Sequence, residues 1–237
     1  MASFNTYSGK LLEAEGGYQA NPADSGNYNS LGQLVGTNRG ISAPVYEDWI
    51  GRPPSVTDMK NISLDTALDI YENNYWNVLG CDEMTSQFVA EIVCDHGVNA
   101  GPSRAGRIIQ TCCNILGSSL IVDGVIGPKT ISAINATNAA ALNDSFKQAR
   151  IYYYDYICAY FENVPADWEA LFKSWGVGNS TGNRVFYNGW MNRVNTFPWL
   201  SGENGGTVAA EVAAANPVSI NFDIKKKLRR NTRFTRS

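Results

Sequence analysis

Ser3-Phe4-Asn5-Thr6-Tyr7-Ser8-Gly9-Lys10-Leu11-Leu12-Glu13-Ala14-Glu15-Gly16-Gly17-Tyr18 is the stretch on which the reading of this chain turns. Ser3 is suited to cap a helix that carries Phe4, Tyr7, Leu11 and Leu12 on one face. Gly16 and Gly17 then stop it, because glycine gives up the most backbone freedom in a helix. The outcome is one carboxylate, Glu15, set at a helix end and facing whatever cleft follows.

Apolar residues recur at spacings of three and four along most of the remaining chain, so the fold class is mainly α. Ser63 is placed to cap a helix with Leu64, Ala67, Leu68, Tyr71 and Tyr75 inward. A second carries Met84, Phe88, Ile92 and Val93, and Gly97 to Pro102 is expected to break it. Ser103 to Leu116 reads as a further helix. So do residues 139–162, with Leu142, Phe146, Ala149 and Tyr153, and residues 182–197, with Phe186, Trp190 and Val194. Residues 16–61 lack the period. They are rich in Gly, Asn and Pro, and read as turns with a short hairpin near Leu31 to Ile41.

The 237 residues are 44% hydrophobic and 17% charged, a globular balance. The net charge of −3 is unevenly spread. Seven basic residues and one acid lie from Asp223 to the end, leaving residues 1–222 strongly acidic. No nucleic-acid motif accompanies the basic tail, so no nucleic acid is expected as a partner. The tail suits docking on an anionic wall polymer or on a virion or secretion assembly. The start has no charged n-region or apolar h-region, so no signal peptide is expected, and synthesis in a cytoplasm is the default. No apolar run reaches the roughly 18 residues of a membrane span. Five cysteines without a C-x-x-C pair read as buried thiols. With one histidine, His96, no metal site is expected. That histidine reads as a hydrogen-bonded structural donor.

A glutamate at a helix end and an aspartate on the next turn can flank one cleft. Asp24 lies in Asn21-Pro22-Ala23-Asp24-Ser25-Gly26, and Thr37 follows in Gly36-Thr37-Asn38-Arg39-Gly40-Ile41-Ser42. Glycoside hydrolysis needs one acid of raised pKa to protonate the leaving oxygen, and a second group to stabilise positive charge or direct a water. The apolar face before Glu15 favours the first role, and the polar turn around Asp24 favours the second. Bland readings stand beside these: an exposed helix-end acid, an Asx turn at Asp24, and a backbone-bonded threonine at Thr37.

Glu15-Gly16-Gly17-Tyr18, then Asp24, then Thr37-x-x-Gly40-Ile41-Ser42 resembles the start of glycoside hydrolase family 108, muramidases of the lysozyme-like superfamily. The spacing of Glu and Asp is also similar to that of phage-type lysozymes. Tyr75-Trp76, Asp95-His96-Gly97-Val98-Asn99-Ala100-Gly101 and Val122-Asp123-Gly124-Val125-Ile126-Gly127-Pro128-Lys129-Thr130 resemble later family motifs. So do Arg150 with Tyr153, and Gly189-Trp190-x-x-Arg193-Val194. The resemblance implies a lysozyme-like catalytic domain over 1–100, with a small hairpin and loop region. A helical peptidoglycan-binding region over 101–198 follows, then a linker and basic tail over 199–237. It implies hydrolysis of the β-1,4 bond between N-acetylmuramic acid and N-acetylglucosamine, in a phage endolysin or virion-borne lysozyme acting on periplasmic or cell-wall peptidoglycan. Glu15 would be the catalytic acid, Asp24 and Thr37 its partners, and Tyr18 and Asn99 substrate contacts. No cofactor is called for. The alternative is a non-catalytic structural or wall-binding virion protein on the same fold.

The family's Asp-to-Thr step is short, whereas here residues 25–36 intervene. That insertion reads as a reshaped cleft wall or a lid. It leaves open whether Thr37 or Asn29-Ser30 stands beside Asp24.

Overall fold

A computed structural model describes residues 1–14 and 17–201, the side chains of 12–14 excepted. Glu15, Gly16 and residues 202–237, which hold the basic tail and all but the first three residues of the expected linker, lie outside the described residues. The first helix, α1 (Phe4–Ala14), buries Phe4, Tyr7 and Leu11. Tyr7 stacks on Trp76 at 5.7 Å between ring centroids, and Phe4 meets the same ring edge-on. Ser3 is tied to Gln87 through its backbone, its N–H donating to Gln87 Oε1 at 2.8 Å.

Residues 17–42 form a loop region with three isolated antiparallel bridges: Gln19 with Thr37, Tyr28 with Leu34, and Asn38 with Ile41. The expected hairpin never lengthens into a ladder. Asparagine and glutamine side chains in this loop supply the backbone partners that strands would otherwise supply. Three short helices follow: α2 (Ala43–Ile50), α3 (Val56–Lys60) and α4 (Leu64–Tyr71). Ser55 and Asp58 form a reciprocal capping box on α3, and Ser63 Oγ accepts from Thr66 N–H at the start of α4. Leu64, expected inward, is 38% exposed, because α4 turns Ala67, Ile70 and Tyr71 to the core instead. A π-helical turn, Glu72–Trp76, continues α4 and buries Trp76.

The centre of the molecule is α5 (Gln87–Ala100), where every residue from Val89 to Gly97 is buried. The expected break over Gly97 to Pro102 falls at Gly101, and α5 runs on through Gly97. A β-carbon there would stand 2.7 Å from Leu79 Cδ1, so the glycine admits a neighbouring side chain rather than ending the helix. Phe88, also expected inward, is 45% exposed. Gly101 alone, at φ 92°, separates α5 from α6 (Pro102–Ile115), which opens on Pro102.

α5 packs against α6 and against the long α8 (Ala139–Ile157), which α7 (Pro128–Ala136) precedes. α9 (Ala166–Ser174) and α10 (Arg184–Asn195) complete the bundle on α8. Phe186 at the start of α10 is 42% exposed, while Val194 is buried. One hydrophobic core runs from Ala2 to Phe197. All five cysteines are buried and unpaired, and burial pushes the Cys112 and Cys113 thiols up to about 12.

The Asp123-Gly124 turn is held by α6. Gly124, at φ 86°, rests its carbonyl where a β-carbon on Gly106 would be, 2.3 Å away. Gln110 holds the turn from α6, accepting from Gly124 N–H at 2.8 Å and donating to Asp123 Oδ1 at 2.9 Å. That bond also holds the Asp123 carboxyl below the usual carboxylate range.

Candidate active site

The chain emerges from α1, and two residues after Glu15 it is described again at Gly17. Tyr18 is half-buried. Its hydroxyl donates to the Val35 carbonyl at 3.1 Å, and the Lys60 ammonium lies 5.0 Å from its ring centroid. A β-carbon at Gly36 would stand 2.6 Å from the same ring. Gln19 then pairs with Thr37 in both directions, N–H to carbonyl at 2.9 and 2.8 Å. Thr37 is thus fixed beside the segment that directly follows Glu15-Gly16-Gly17.

The insertion at 25–36 is folded back on its own start. The N–H groups of Val35 and Gly36 both donate to the Asn27 carbonyl, at 2.8 and 2.9 Å. The buried Asn27 side chain donates to the Asn21 carbonyl and exchanges bonds with Gln19. The twelve residues between Asp24 and Thr37 therefore close into a loop and return the chain to Thr37. Asn29 is buried and saturated. It donates to Gln33 Oε1 and to the Pro54 carbonyl, and accepts from Leu31 and Gln33 N–H. Ser30 is held by Glu47 through both its N–H and its hydroxyl. These contacts dock the loop on α2 and on the turn before α3.

Asp24 is half-buried, and its Oδ1 accepts from Gly26 N–H at 2.9 Å, the Asx-turn arrangement that caps a 3-10 turn at Ser25–Asn27. A β-carbon on Gly26 would meet that oxygen at 3.2 Å and Ser42 Cβ at 3.4 Å, so Asp24 and Ser42 flank one glycine. Asn99, exposed in the last turn of α5, donates to the Asp95 carbonyl at 2.8 Å.

A second set of polar groups was not legible from the sequence. Asp95 on α5 is 4% exposed and accepts from three elements. Tyr7 hydroxyl on α1 donates at 3.3 Å, Arg150 Nη2 on α8 at 2.7 Å, and Arg193 Nε on α10 at 2.8 Å. One turn earlier, the buried Glu91 accepts from Lys10 Nζ on α1 at 2.7 Å and from Gln87 at 2.9 Å. Burial, with the Asp95 charge behind it, pushes the Tyr7 phenol well up. These groups border a pocket of 410 Å³ between α1, α5 and residues 193–198. The sequence held one signal for it. Glu91 and Asp95 are acids four apart on a helix that is otherwise apolar on that face.

His96 departs from expectation. It is fully buried, with Phe146, Tyr153 and Tyr154 edge-on around it, and neither ring nitrogen has a hydrogen-bond partner among the described residues. Burial, aided by the charges of Arg150 and Arg104, pushes the imidazole well below 6.5. A base whose proton affinity is depressed on folding binds more protons unfolded. Its contribution is therefore complete above pH 6.5, and stability declines as the pH falls below that value. The limiting slope is about 1.4 kcal/mol per pH unit. Thermal midpoints measured between neutral and mildly acidic pH should fall more steeply in wild type than in His96→Phe. Parallel curves would contradict the assignment.

Residues 9–101 match the family model described as glycosyl hydrolase 108, and residues 104–195 match the one described as predicted peptidoglycan domain. Among solved structures, the chain aligns with one titled structure of Brucella abortus SagA at a TM-score of 0.60 and 26% identity, covering 89% of this chain and 94% of that one. No match is found among curated proteins. Among the described residues no helix is long and apolar enough to cross a membrane. A glycosyl hydrolase 108 domain over residues 9–101 followed by a predicted peptidoglycan domain over 104–195 is the make-up of a glycoside hydrolase acting on peptidoglycan.

Proposed function

We propose that the chain is an N-acetylmuramidase. It hydrolyses the β-1,4 bond between N-acetylmuramic acid and N-acetylglucosamine, with residues 1–100 as catalytic domain and 101–198 as wall-binding region. The observation that carries this reading is the family match over 9–101 across a chain that keeps Glu15-Gly16-Gly17-Tyr18 intact. Glu15 protonates the glycosidic oxygen as the bond breaks. Asp24 or Thr37 stabilises the oxocarbenium-like centre or directs the water, the division of labour that two-group glycoside hydrolysis requires. Pairing of Thr37 with Gln19 supports its role, since it sets Thr37 next to the backbone that leaves Glu15. Tyr18 forms part of the cleft wall. The Asn99 amide, whose N–H is spent on its own helix, offers its oxygen to an acetamido N–H of the sugar.

The reading extends to a phage endolysin or virion-associated lysozyme, on the similarity of the Glu-to-Asp spacing to phage-type lysozymes. The basic tail would then hold the protein to anionic wall polymer or to its assembly. A non-catalytic structural or wall-binding role is favoured by the insertion and by the basic tail. Yet the insertion closes on Asn27 and leaves the Gln19–Thr37 pair in place, which favours catalysis.

Incubation with purified peptidoglycan should release reducing ends in proportion to enzyme and time. An absence of release from intact and from solubilised glycan would overturn the reading.

A further inference from the structure

From the pocket between the two regions we infer that this protein binds the peptide stem of peptidoglycan through a stem carboxylate, at a site separate from the Asp24–Thr37 loop. The inference rests on the proposal that peptidoglycan is the substrate, and not on which bond is cut.

The pocket holds 410 Å³, room for two or three amino-acid residues, and is built from both regions. α1 and α5 of the hydrolase region give Lys10, Phe88, Glu91 and Asp95, while Arg193 and Phe197 come from the second region. Four charged side chains around one pocket are poorly matched to the glycan. Where its lactyl groups are amide-linked to peptide, the glycan carries no ionised group. The stems carry carboxylates and amines, so charge at the site selects the stem.

The sign of that charge follows from which groups are already occupied. Both oxygens of Glu91 are taken, one by Lys10 and one by Gln87. Both oxygens of Asp95 are taken by Tyr7, Arg193 and Arg150. The two acids line the pocket but are only 1% and 4% exposed, with their oxygens already engaged. Lys10 differs: its side chain is 58% exposed, and its ammonium gives one of three protons to Glu91. The charge offered to an incoming group is therefore positive, held in place by a buried acid. Phe88, 45% exposed and with Lys10 Nζ 5.9 Å from its ring centroid, gives the apolar surface beside it.

The opposite wall is fixed in place. Residues 197–201 cross the start of α8, and three side chains there grip their backbone. Lys147 donates to the Phe197 carbonyl, Asn143 donates to the Pro198 carbonyl, and Asp144 accepts from the N–H groups of Leu200 and Ser201. A pocket with a wall so anchored is pre-formed, which lowers the ordering cost of binding.

The test uses the whole protein and a soluble stem tripeptide, l-alanyl-γ-d-glutamyl-diaminopimelate, titrated by calorimetry or by chemical-shift perturbation. Because the probe has no glycosidic bond, its result is independent of the hydrolysis assay. Saturable binding near about 1 mM or tighter is expected. Lys10→Ala should weaken it by about tenfold, the usual worth of one charge-assisted hydrogen bond. Phe88→Ala, at an exposed position, should weaken it several-fold. The same tripeptide with its carboxyl groups amidated should bind about tenfold more weakly than the free acid. No saturable binding, binding unchanged in both variants, or equal affinity for the amidated peptide would each overturn the inference. If amidase-stripped strands, whose lactyl carboxylate is free, compete as well as the tripeptide does, the site reads the sugar acid and the stem assignment fails.

Discussion

Replacing Glu15 by Gln is expected to lower the rate of reducing-end release by about a thousandfold while leaving the fold intact. Glutamine has nearly the shape of glutamate and lacks only the transferable proton. An alkoxide of a sugar is a poor leaving group, so protonation of the glycosidic oxygen must accompany bond breaking. Positioned general acids contribute roughly 10² to 10⁴ in rate. The substitution keeps the size of the side chain and follows directly on Ala14, the last residue of α1. Helical circular dichroism and the thermal midpoint should match wild type. A variant that kept more than about a tenth of the activity would remove Glu15 from the acid role.

The second large effect concerns Asp95 and is one of stability. Asp95→Ala leaves the guanidinium of Arg150, 0% exposed, without its counter-charge, and strips Arg193 and Tyr7 of a shared acceptor. Removing one partner of a buried pair costs about 3–5 kcal/mol, because the remaining charge is stranded in low dielectric. In a chain of this size that is roughly 10 °C in the thermal midpoint, and a large share of the total stability of about 5–15 kcal/mol. Pairing Asp95→Asn with Arg150→Met removes the stranded charge and should recover much of the loss. A midpoint within about 2 °C of wild type for Asp95→Ala would mean that the network contributes nothing net.

The longer helices were legible because their apolar spacing is local information, whereas α2 and α3 lie in the stretch 16–61 read as turns and are too short to show a period. Ser55, Ser63, Ser86 and Asn138 cap their helices through contacts three residues away, within reach of any reading of the chain. The break came between Gly97 and Pro102 as expected, at Gly101, but spacing could not show that the helix runs on through Gly97. Gly97 is explained by Leu79, which comes from a separate turn, and a glycine explained by a neighbour looks like a glycine that ends a helix. Leu64 and Phe88 sit on helices whose inward faces are set by which neighbours arrive, and periodicity alone leaves that rotation loose.

Thr37 shows the same limit within the candidate site. Counted along the chain, it is displaced from Asp24 by the insertion. In space, Asn27 closes that insertion and the bridge to Gln19 restores Thr37 to the start of the loop. The inter-region pocket left only one trace in the sequence, the acids Glu91 and Asp95 four apart on α5. Its ion pairs join residues 81 and 98 positions apart, Lys10 with Glu91 and Arg193 with Asp95, and nothing in either segment announces the other. His96 was read as bonded because most buried polar groups are. Its aromatic surroundings come from three positions on α8, one face of a helix some fifty residues away.

The most direct measurement is the identity of the new reducing end after wild-type digestion of peptidoglycan, fixed by borohydride reduction and mass analysis of the released fragments. A muramidase leaves N-acetylmuramic acid at that end, and reduced N-acetylmuramitol is the expected product, absent from the Glu15→Gln digest. Reduced N-acetylglucosaminitol, or no newly reduced sugar from an enzyme shown to be folded, would contradict the account.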